Sequence, residues 1–479
     1  MSTLLRPLLI DAGGDLAATA DRALARGDDG PMITDITHDS RRVRAGSLFC
    51  CIRGATTDGH RFASDAVKAG AVALLCDRPL SVGVPEVRVP DTRMAMAPLA
   101  ATFHGQPSRA LPVIGITGTN GKTTTVRLVQ AILERHGLAT GVIGTLTGAR
   151  TTPEAPDLQQ ILAAMRDDGI RAVAMEVSSH ALALHRVDAT SFAAVGFTNL
   201  SRDHLDFHGT MEEYFKAKAS LFSTQFAPLA VIDVDTANGM LLAATTEIAQ
   251  VVRTGVSTVE ILSIDASGTR YRWRDLEVSL PLPGRFNVAN ALVASELCIG
   301  LGVAPATVAE ALATVAPVPG RFQRVDLDAP FTVIVDYAHT PDGLDNVLAA
   351  AREIVGAGRV LVAFGCGGDR DVTKRPFMGR SAREGADFVV VTTDNPRSED
   401  PAQIVAQIVA GMPARPDVVE LDRRSAIRCV LGAAHSGDIV IIAGKGHETT
   451  QQIGGRSLSF DDAVVAVEET SALRSAGQG

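Results

Sequence analysis

The stretch GITGTNGKTTT, from Gly115 to Thr125, decides the fold of this 479-residue chain. It follows an apolar run that predicts a buried strand, and it precedes VRLVQAILERHG, where apolar residues recur at helical spacing up to Gly137. A glycine turn between a strand and a helix start binds anions, because free N–H groups and the helix dipole point at the turn. The strict Walker pattern has glycine where this chain has Ile116, so the sequence predicts a variant phosphate loop.

Individual residues of this loop have predicted tasks. Gly118 and Gly121 allow the backbone to close around phosphate groups. Lys122 supplies a positive charge, and Thr123 offers a hydroxyl to Mg²⁺. The loop, read together with its flanking strand and helix, predicts a nucleotide-phosphate site.

Composition restricts the class of protein. The length predicts about three domains, and a net charge of −9 argues against a nucleic-acid partner. The six cysteines show no paired metal spacing, so we expect reduced core residues. Arg6 and Pro7 break the N-terminal apolar stretch, unlike a signal peptide, and no run reaches the roughly 20 residues of a membrane span. We expect a monomeric cytoplasmic protein with small-molecule substrates, no nucleic acid and no membrane partner.

Apolar runs alternate with helical patterns, which predicts an α/β protein of three domains. Residues 1–108 predict a small α/β domain, and residues 109–320 predict a central phosphate-loop domain with a mainly parallel sheet. Residues 321–479 predict a second doubly wound, Rossmann-like unit. Segments rich in Pro and Gly, at 101–112 and 313–322, suit short hinges. The predicted strands lie within 47–52, 71–77, 111–117, 172–177, 193–200, 229–235, 331–338, 358–367, 387–396, 416–422 and 438–446.

Polar residues gather where these apolar runs end. Glu176 follows one run of the central domain, and Asp203 and His204 follow the next. In the third domain, polar clusters containing Asp336 and Asp394 also follow apolar runs. Ligands bind at the carboxyl edge of open α/β sheets. The sequence therefore predicts a metal–nucleotide site in the central domain that faces a second polar pocket in the third.

A helix predicted over Met211–Phe222 places a lysine on an apolar face. Tyr214, Lys218 and Phe222 recur at i, i+4 and i+8, whereas Lys216 points away into water. A lysine in that position either extends its ammonium to solvent or is buried with a lowered pKa. In the second case the neutral amine can react or be modified.

Eight motifs follow one another along nearly the whole chain. They are TGTNGKTTT (117–125), MEVSSHALALHRV (175–187), FTNLSRDHLDFHG (197–209), the helix of Tyr214 and Lys218, GRFNVANALVA (284–294), GRFQRV (320–325), VDYAHTPD (335–342) and DNPR (394–397). In this order they resemble the Mur ligase family of peptidoglycan synthesis. The resemblance implies a three-domain, ATP-dependent amide-bond ligase.

The resemblance also implies roles for residues around the phosphate loop. Lys122, Lys218 and His204 would be catalytic. Lys218 would be carbamylated by CO₂, which turns a cation into an oxygen-bearing anion that Mg²⁺ accepts. The metal ligands would be Thr123, Glu176, His204 and the Lys218 carbamate. ATP would be bound by Gly118, Thr119, Asn120, Gly121, Lys122, Thr123, Thr124, Asn287, Asn290, Arg321 and Asp336.

Two further residue sets are implied for the other substrates. The UDP-muramoyl dipeptide would be bound by Ser40, Arg41, Thr151, Thr152, Ser178 and Arg186. Leu184 stands where the family often has glutamine, a departure beside that set. Meso-diaminopimelate would be bound by Arg370, Asp394, Asn395, Arg397, Gly444 and Glu448. A guanidinium grips a carboxylate bidentately, so Arg397 favours diaminopimelate over lysine, which ends in an ammonium.

The implied reaction joins meso-diaminopimelate to UDP-N-acetylmuramoyl-L-alanyl-D-glutamate through an acyl phosphate. His204, His339 and Asp342 are the candidates for the general base. Within the same family the alternatives are a lysine-adding ligase and a ligase similar to folylpolyglutamate synthase. From other classes they are a phosphate-loop regulatory or transport NTPase and a non-enzymatic nucleotide-binding module.

Overall fold

The computed structural model describes residues 1–54 and 57–477, which form three α/β units in chain order. Each unit is built on a sheet that is wholly or mainly parallel. The α/β class and three-unit order predicted from the sequence are confirmed, while the domain boundaries at 108/109 and 320/321 stay predictions. Within the described residues, no helix is both long and apolar enough to cross a lipid bilayer.

The first unit is a four-stranded parallel sheet in the order β3-β4-β5-β6, with a separate antiparallel pair, β1-β2. Its strands are β1 (Thr3–Leu4), β2 (Met32–Ile33), β3 (Asp35–Thr37), β4 (Ser47–Cys50), β5 (Ala71–Cys76) and β6 (Glu86–Arg88). Its helices are α1 (Leu5–Ala12), α2 (Gly14–Ala23), α3 (Ala63–Lys68), α4 (Thr92–Phe103) and α5 (Pro107–Ala110).

The middle unit has a six-stranded parallel sheet in the order β12-β11-β10-β7-β9-β8. These strands are β7 (Val113–Thr117), β8 (Thr140–Ile143), β9 (Ala172–Glu176), β10 (Ala194–Phe197), β11 (Leu229–Asp233) and β12 (Gln250–Thr254). Strand β7 lies at the centre and is fully buried, which explains its continuous apolar sequence. The phosphate loop therefore leaves the middle of the sheet.

Helices cover both faces of this sheet, and a separate three-stranded antiparallel sheet follows it in the chain. The helices are α6 (Lys122–Arg135), α7 (Ala155–Asp167), α8 (Ser179–Ala183), α9 (Leu205–His208), α10 (Met211–Ala219), α11 (Ala237–Thr245), α12 (Arg285–Gly300) and α13 (Pro305–Leu312). The added strands are β13 (Glu260–Asp265), β14 (Gly268–Trp273) and β15 (Leu276–Leu280). The sequence analysis did not predict these three strands.

The third unit has a six-stranded sheet in the order β16-β17-β21-β18-β19-β20, in which only β16 is antiparallel to its neighbour. A separate hairpin, β22-β23, precedes the last helix. The strands are β16 (Gln323–Val325), β17 (Thr332–Asp336), β18 (Val360–Phe364), β19 (Phe388–Val391), β20 (Val418–Val419), β21 (Ile439–Ala443), β22 (Thr450–Ile453) and β23 (Arg456–Ser459). The helices are α14 (Pro341–Ile354), α15 (Arg375–Gly385), α16 (Pro401–Ala410), α17 (Arg423–Gly432) and α18 (Asp462–Gly477).

Capping residues fix where the helices of the third unit begin. The side chains of Thr340, Asp400 and Asp422 each accept a hydrogen bond from a backbone N–H in the first turn of α14, α16 and α17. Proline occupies the first position of α14 and α16, where its missing N–H costs nothing. These signals explain why α14, α16 and α17 begin at Pro341, Pro401 and Arg423.

Two predictions need correction. The helix predicted over Met211–Phe222 ends at Ala219, because the chain turns at Ser220 and Leu221. Leu221 and Phe222 are nevertheless buried. Five of the six cysteines are buried as expected, but Cys429 is exposed on the outer side of α17.

Candidate active site

The phosphate loop, residues 118–121, connects β7 to α6 and leaves no room for a side chain at either glycine. Gly118 (φ 157°) and Gly121 (φ 85°) both have positive φ values. A Cβ atom at Gly118 would lie 1.9 Å from Thr198 Oγ1, and one at Gly121 would lie 2.2 Å from Asn290 Oδ1. The loop therefore needs glycine at both positions, for conformation and for close approach.

Lys122, at the start of α6, folds back over the loop. Its Nζ donates to the carbonyl oxygens of Gly118 and Thr119, each at 2.9 Å. Burial lowers the pKa of Lys122, although the carboxylates of Glu176 and Asp203 oppose that shift. The ammonium is thus positioned beside the loop and the helix N-terminus, where a phosphate group would bind.

Thr123 and Glu176 bring two oxygen donors together at the edge of the loop. Thr123 Oγ1 donates to Glu176 Oε1 at 3.0 Å, and the same carboxylate accepts from Thr145 N at 2.9 Å and Thr145 Oγ1 at 3.2 Å. Glu176 is buried at the end of β9. This donor set suits Mg²⁺, which takes a hydroxyl and one or two carboxylates together with phosphate oxygens and waters.

Lys218 is fully buried on α10, as the helical spacing indicated. Its Nζ donates to Gly118 O at 2.7 Å and lies 4.6 Å from the centre of the Tyr214 ring. Burial and the neighbouring Lys122 charge hold the pKa of Lys218 well below its usual range. Lys216, by contrast, is exposed and paired with Glu212 at 2.8 Å. The prediction that these two lysines face opposite environments is confirmed.

His204 follows β10 in a left-handed conformation (φ 54°) beside the buried Asp203. Its Nε2 lies 3.3 Å from Asp203 Oδ2, and burial lowers the pKa of His204 to about 3. The imidazole is therefore neutral near pH 7 and has a lone pair available for a metal ion or proton. Among the described residues, no cluster of three or more His, Cys, Asp or Glu side chains is arranged to hold a metal ion.

One cavity joins the phosphate loop to the third unit. Its wall on that side includes Arg321, Asp336 and His339. Arg321 Nη2 donates to Thr123 Oγ1 at 3.3 Å, and its guanidinium lies 4.4 Å from the centre of the Tyr337 ring. Burial raises the pKa of Asp336 to about 6, and its Oδ2 accepts from Phe322 N at 2.6 Å. The cavity wall also includes Thr119, Asn120, Gly121, Lys122, Thr123, Thr124, Thr151, Glu176, Ser178, His204 and Asn290.

The two predicted adenine residues occupy different surroundings. Asn290 lines the cavity, and its Oδ1 accepts from Thr125 Oγ1 at 3.3 Å. Asn287 is buried one turn earlier on α12, and its Nδ2 donates to Pro283 O at 2.8 Å. Asn287 is therefore engaged in holding the turn that precedes the helix.

A buried carboxylate, Glu154, organises the segment predicted to bind the dipeptide. It pairs with Arg93 of the first unit at 3.1 Å, with Arg150 at 2.7 Å and with Arg186 at 2.8 Å. Burial alone would raise the pKa of Glu154, but the three guanidinium groups lower it. Arg186 is thereby fixed, and its Nη1 also donates to Thr152 O at 3.1 Å.

The other residues predicted to bind the dipeptide lie partly beside the cavity and partly in the first unit. Thr152 Oγ1 donates to Glu176 O at 2.8 Å, which ties this segment to the predicted metal ligand. Thr151 and Ser178 line the cavity. Ser40 and Arg41 lie on a short helical turn of the first unit, where the exposed Arg41 pairs with Asp39 at 2.7 Å. They do not line the cavity that contains the phosphate loop.

The structure brings most of the predicted amino-acid pocket together. Asn395 Nδ2 donates to Glu448 Oε2 at 2.6 Å, and a Cβ atom at Gly444 would lie 2.4 Å from Asp394 Oδ2. Arg397 Nη1 donates to the Gly368 carbonyl. Arg370 belongs to the same loop as Gly368, where its Nη1 lies 3.4 Å from Asp369 O. All of these residues follow strands β18, β19 and β21.

Two buried carboxylates organise the site: Glu154 was not predicted, and Asp203 was placed at the predicted sheet edge without its partners. Asp203 Oδ2 lies 3.6 Å from His339 Nε2, and Asp203 Oδ1 lies 3.8 Å from Lys374 Nζ. Both carboxylates are buried, and most of their partners are far away in sequence, so local patterns did not reveal those partners. For Asp203 the available signal was its place inside the motif FTNLSRDHLDFHG, whereas Glu154 lies outside all eight motifs.

The fold and the site together define a class of protein. A glycine turn at the N-terminus of α6, with a lysine and a hydroxyl–carboxylate pair beside it, defines a mononucleotide-binding α/β protein. The cavity lies between the middle and third units, so the third unit can present another substrate to a phosphate group held at the loop.

Comparison with known proteins specifies the class further. Family models match in three consecutive parts: "Mur ligase family, catalytic domain" over residues 32–104, "Mur ligase middle domain" over 116–298 and "Mur ligase, glutamate ligase domain" over 320–446. The chain belongs to the Mur ligase family.

Similar proteins cover nearly the whole chain. A UDP-N-acetylmuramoyl-L-alanyl-D-glutamate–2,6-diaminopimelate ligase of Geobacillus thermodenitrificans is 45% identical over 463 residues, covering 91% of this chain and 94% of that protein. A ligase of the same name from Geobacillus kaustophilus is 46% identical over 463 residues, with the same coverage. A solved structure with that name has a TM-score of 0.64 and 33% identity, covering 92% of this chain and 95% of its own.

Proposed function

We propose that the chain is an ATP-dependent ligase that joins meso-diaminopimelate to UDP-N-acetylmuramoyl-L-alanyl-D-glutamate in peptidoglycan precursor synthesis. The observation that carries the proposal is the cavity between the phosphate loop and the third unit, where Arg321 reaches Thr123 at 3.3 Å. The proposal also rests on similarity, over nine-tenths of the chain, to proteins named for this reaction. It includes a cytoplasmic location and a monomeric state.

ATP would bind along the phosphate loop. The free N–H groups at the start of α6 and the Lys122 ammonium would offset negative charge on its phosphates. The adenine would lie toward Asn290, with Arg321 and Asp336 closing the site from the third unit. The triphosphate set is Gly118, Thr119, Asn120, Gly121, Lys122, Thr123 and Thr124, and Asn287 would support the adenine side from behind Asn290.

Mg²⁺ would be held by the Thr123 hydroxyl and the Glu176 carboxylate, with His204 and Lys218 serving a second ion. Bound there, the ion would polarise the transferring phosphoryl group. Lys218 in its ammonium form would repel a cation, whereas its lowered pKa supplies the neutral amine that reacts with CO₂. A carbamate on Nζ keeps one N–H that can still donate to Gly118 O.

The first chemical step would form an acyl phosphate. A carboxylate oxygen of the D-glutamyl residue attacks the γ-phosphorus of ATP, and ADP leaves. Arg186, held by Glu154, and the hydroxyls of Thr151, Thr152 and Ser178 would orient the dipeptide for this attack. Ser40 and Arg41 would bind the UDP end from the first unit.

In the second step the amine of diaminopimelate attacks the acyl carbon, the C–N bond forms and phosphate leaves. The third unit would orient the nucleophile: Arg397 would pair with the far carboxylate and Glu448 with the far ammonium. Asp394, Asn395, Gly444 and Arg370 complete this pocket. The amine must lose a proton, and His204, His339 and Asp342 remain the candidate bases.

An amino-acid panel tests the proposed function. Phosphate release should require ATP, UDP-muramoyl dipeptide and meso-diaminopimelate together, with lysine and glutamate as poor substitutes. Preference for lysine would indicate the lysine-adding ligase, and use of glutamate with a folate would indicate the folylpolyglutamate-type reaction. Equal ATP cleavage without either acceptor would refute a ligase function altogether.

A further inference from the structure

The hairpin β22-β23 packs directly against the segment that carries Arg397. Arg397 N donates to Gln452 O at 3.0 Å, and Gly454 N donates to Arg397 O at 2.8 Å, so that Arg397 and Ile453 form an isolated parallel bridge. Arg397 has a positive φ of 53°, an uncommon conformation for a residue with a side chain. Such a conformation persists when its surroundings fix it, and here the hairpin binds both backbone groups of Arg397.

Gln451 extends this attachment to the two residues before Asn395. Its buried Nε2 donates to Thr393 Oγ1 at 3.0 Å and to Asp394 O at 2.8 Å. The backbone N–H of Gln452 donates to Asn395 Oδ1 at 2.9 Å. The Asn395 amide is thereby oriented so that its Nδ2 points at Glu448 Oε2. One polar side chain and one strand thus hold consecutive residues of the amino-acid pocket.

A buried ion pair beneath the pocket complements the hairpin. Arg423 binds Asp462 at 2.6 Å, and it also donates to Thr393 O at 3.0 Å and Ala443 O at 3.1 Å. Strand β18 lies between β19 and β21, so sheet hydrogen bonds do not join the ends of those two strands. Arg423 therefore joins the segment after β19, which contains Asp394, to the segment after β21, which contains Gly444. Gln451 joins the Asp394 segment to the hairpin.

We infer that Gln451 is a positioning residue of the amino-acid pocket, which holds Asp394–Arg397 in the arrangement that selects diaminopimelate. The inference rests on the proposed function. Gln451 is buried and acts through the backbone of Asp394 and the hydroxyl of Thr393. Its two Nε2 hydrogens meet the Asp394 carbonyl oxygen and the Thr393 hydroxyl, which itself donates to Leu421 O at 2.9 Å.

Replacement of Gln451 by methionine tests the inference, because methionine keeps the length of the side chain and lacks both donors. We expect the KM for diaminopimelate to rise about tenfold, the factor that corresponds to one or two lost buried hydrogen bonds. The KM for ATP should change less than about twofold, because the phosphate loop lies in another unit. The preference for diaminopimelate over lysine should fall as Arg397 loses its fixed orientation.

Gln452→Met is the matched control. Successive residues of a strand point to opposite faces, and the Gln452 side chain is exposed while its backbone bonds survive the substitution. Its KM values should stay within about twofold of the parent. If Gln451→Met does not fold, Thr393→Val keeps nearly the same shape and removes one of the two acceptors, together with the hydroxyl's own bond to Leu421 O. That variant should raise the KM for diaminopimelate by about threefold.

The possible outcomes separate the two proposals. If the parent protein uses diaminopimelate and Gln451→Met alters the KM values for ATP and diaminopimelate equally, or neither of them, the positioning role is wrong. In the fallback variant, an unchanged KM for diaminopimelate has the same meaning. If the parent does not use diaminopimelate at all, the proposed function fails before the variants are compared.

Discussion

The buried Lys218 gives the sharpest prediction, because Lys216 on the same helix serves as its control. Lys218→Met keeps the aliphatic stem on the Tyr214 ring and removes Nζ. Gly118 O loses a 2.7 Å donor but still accepts from Lys122 at 2.9 Å, so the carbonyl is not left without a partner. The free energy of unfolding should therefore fall by only about 1 kcal/mol, the net value of one hydrogen bond.

Turnover should respond far more strongly than stability. If the Lys218 carbamate holds a metal ion at the transferring phosphoryl group, its loss removes an electrostatic interaction made in the transition state. Such losses reduce kcat by about 100-fold or more. Lys216→Met removes only exposed ion pairs with Glu212 and Glu213 and should leave kcat nearly unchanged.

The assay is steady-state phosphate release with both substrates, beside thermal unfolding of each variant. Parent enzyme depleted of CO₂ should lose activity and regain it with bicarbonate, whereas Lys218→Met should not respond. The reasoning is refuted if both lysine variants lose activity equally, or if the CO₂-depleted parent keeps full activity.

Three further predictions concern the loop, the hinge and the pocket. Gly121→Ala places a methyl group 2.2 Å from Asn290 Oδ1 at a residue with positive φ, so the KM for ATP should rise by about tenfold or more. Circular dichroism should show that the secondary structure of the variant is unchanged. The pKa of Asp336 is about 6 in the folded chain and about 3.9 when unfolded, so its contribution to stability is complete below pH 4 and is lost as pH rises through 6. The Asp336→Asn variant should not show that loss, so its free energy of unfolding should increase by about 2 kcal/mol relative to the parent's between pH 4 and pH 7, measured by denaturant titration. A difference between the two proteins that does not change with pH would contradict the argument. Arg397→Lys should raise the KM for diaminopimelate about tenfold and leave that for ATP unchanged, because an ammonium cannot bind a carboxylate bidentately.

Much of the fold was predictable because buried parallel strands carry continuous apolar runs. Strands β7, β17, β18 and β19 were predicted from such runs, and proline occupies the first position of helices α14 and α16. The hairpin β22-β23 was not predicted, since TQQI at Thr450–Ile453 mixes polar residues without apolar alternation. Its stability depends on backbone bonds to Arg397 and on one buried glutamine, which are tertiary features.

The same limit applies to the candidate site, where local spacing predicted some residues and distant partners determine the others. Lys218 was predictable because helical spacing alone placed it with Tyr214. Glu154 was not, because its partners Arg93 and Arg186 lie 61 residues before it and 32 residues after it. Local patterns reveal which face a side chain occupies, but not which distant charge neutralises it.

The contacts between the middle and third units differ in kind across the interface. Near the hinge, the rings of Phe286 and Phe322 pack with centroids 5.8 Å apart. Across the cavity the two units are joined by side-chain hydrogen bonds: Asn120 Nδ2 donates to Asp342 Oδ2 at 2.8 Å, and Arg202 Nη2 donates to Thr373 Oγ1 at 2.8 Å. Water or substrate can replace polar contacts at little cost, whereas separating packed rings exposes apolar surface. The hinge side therefore resists opening more than the cavity side, which favours a rotation about the Phe322 region that admits and releases substrates.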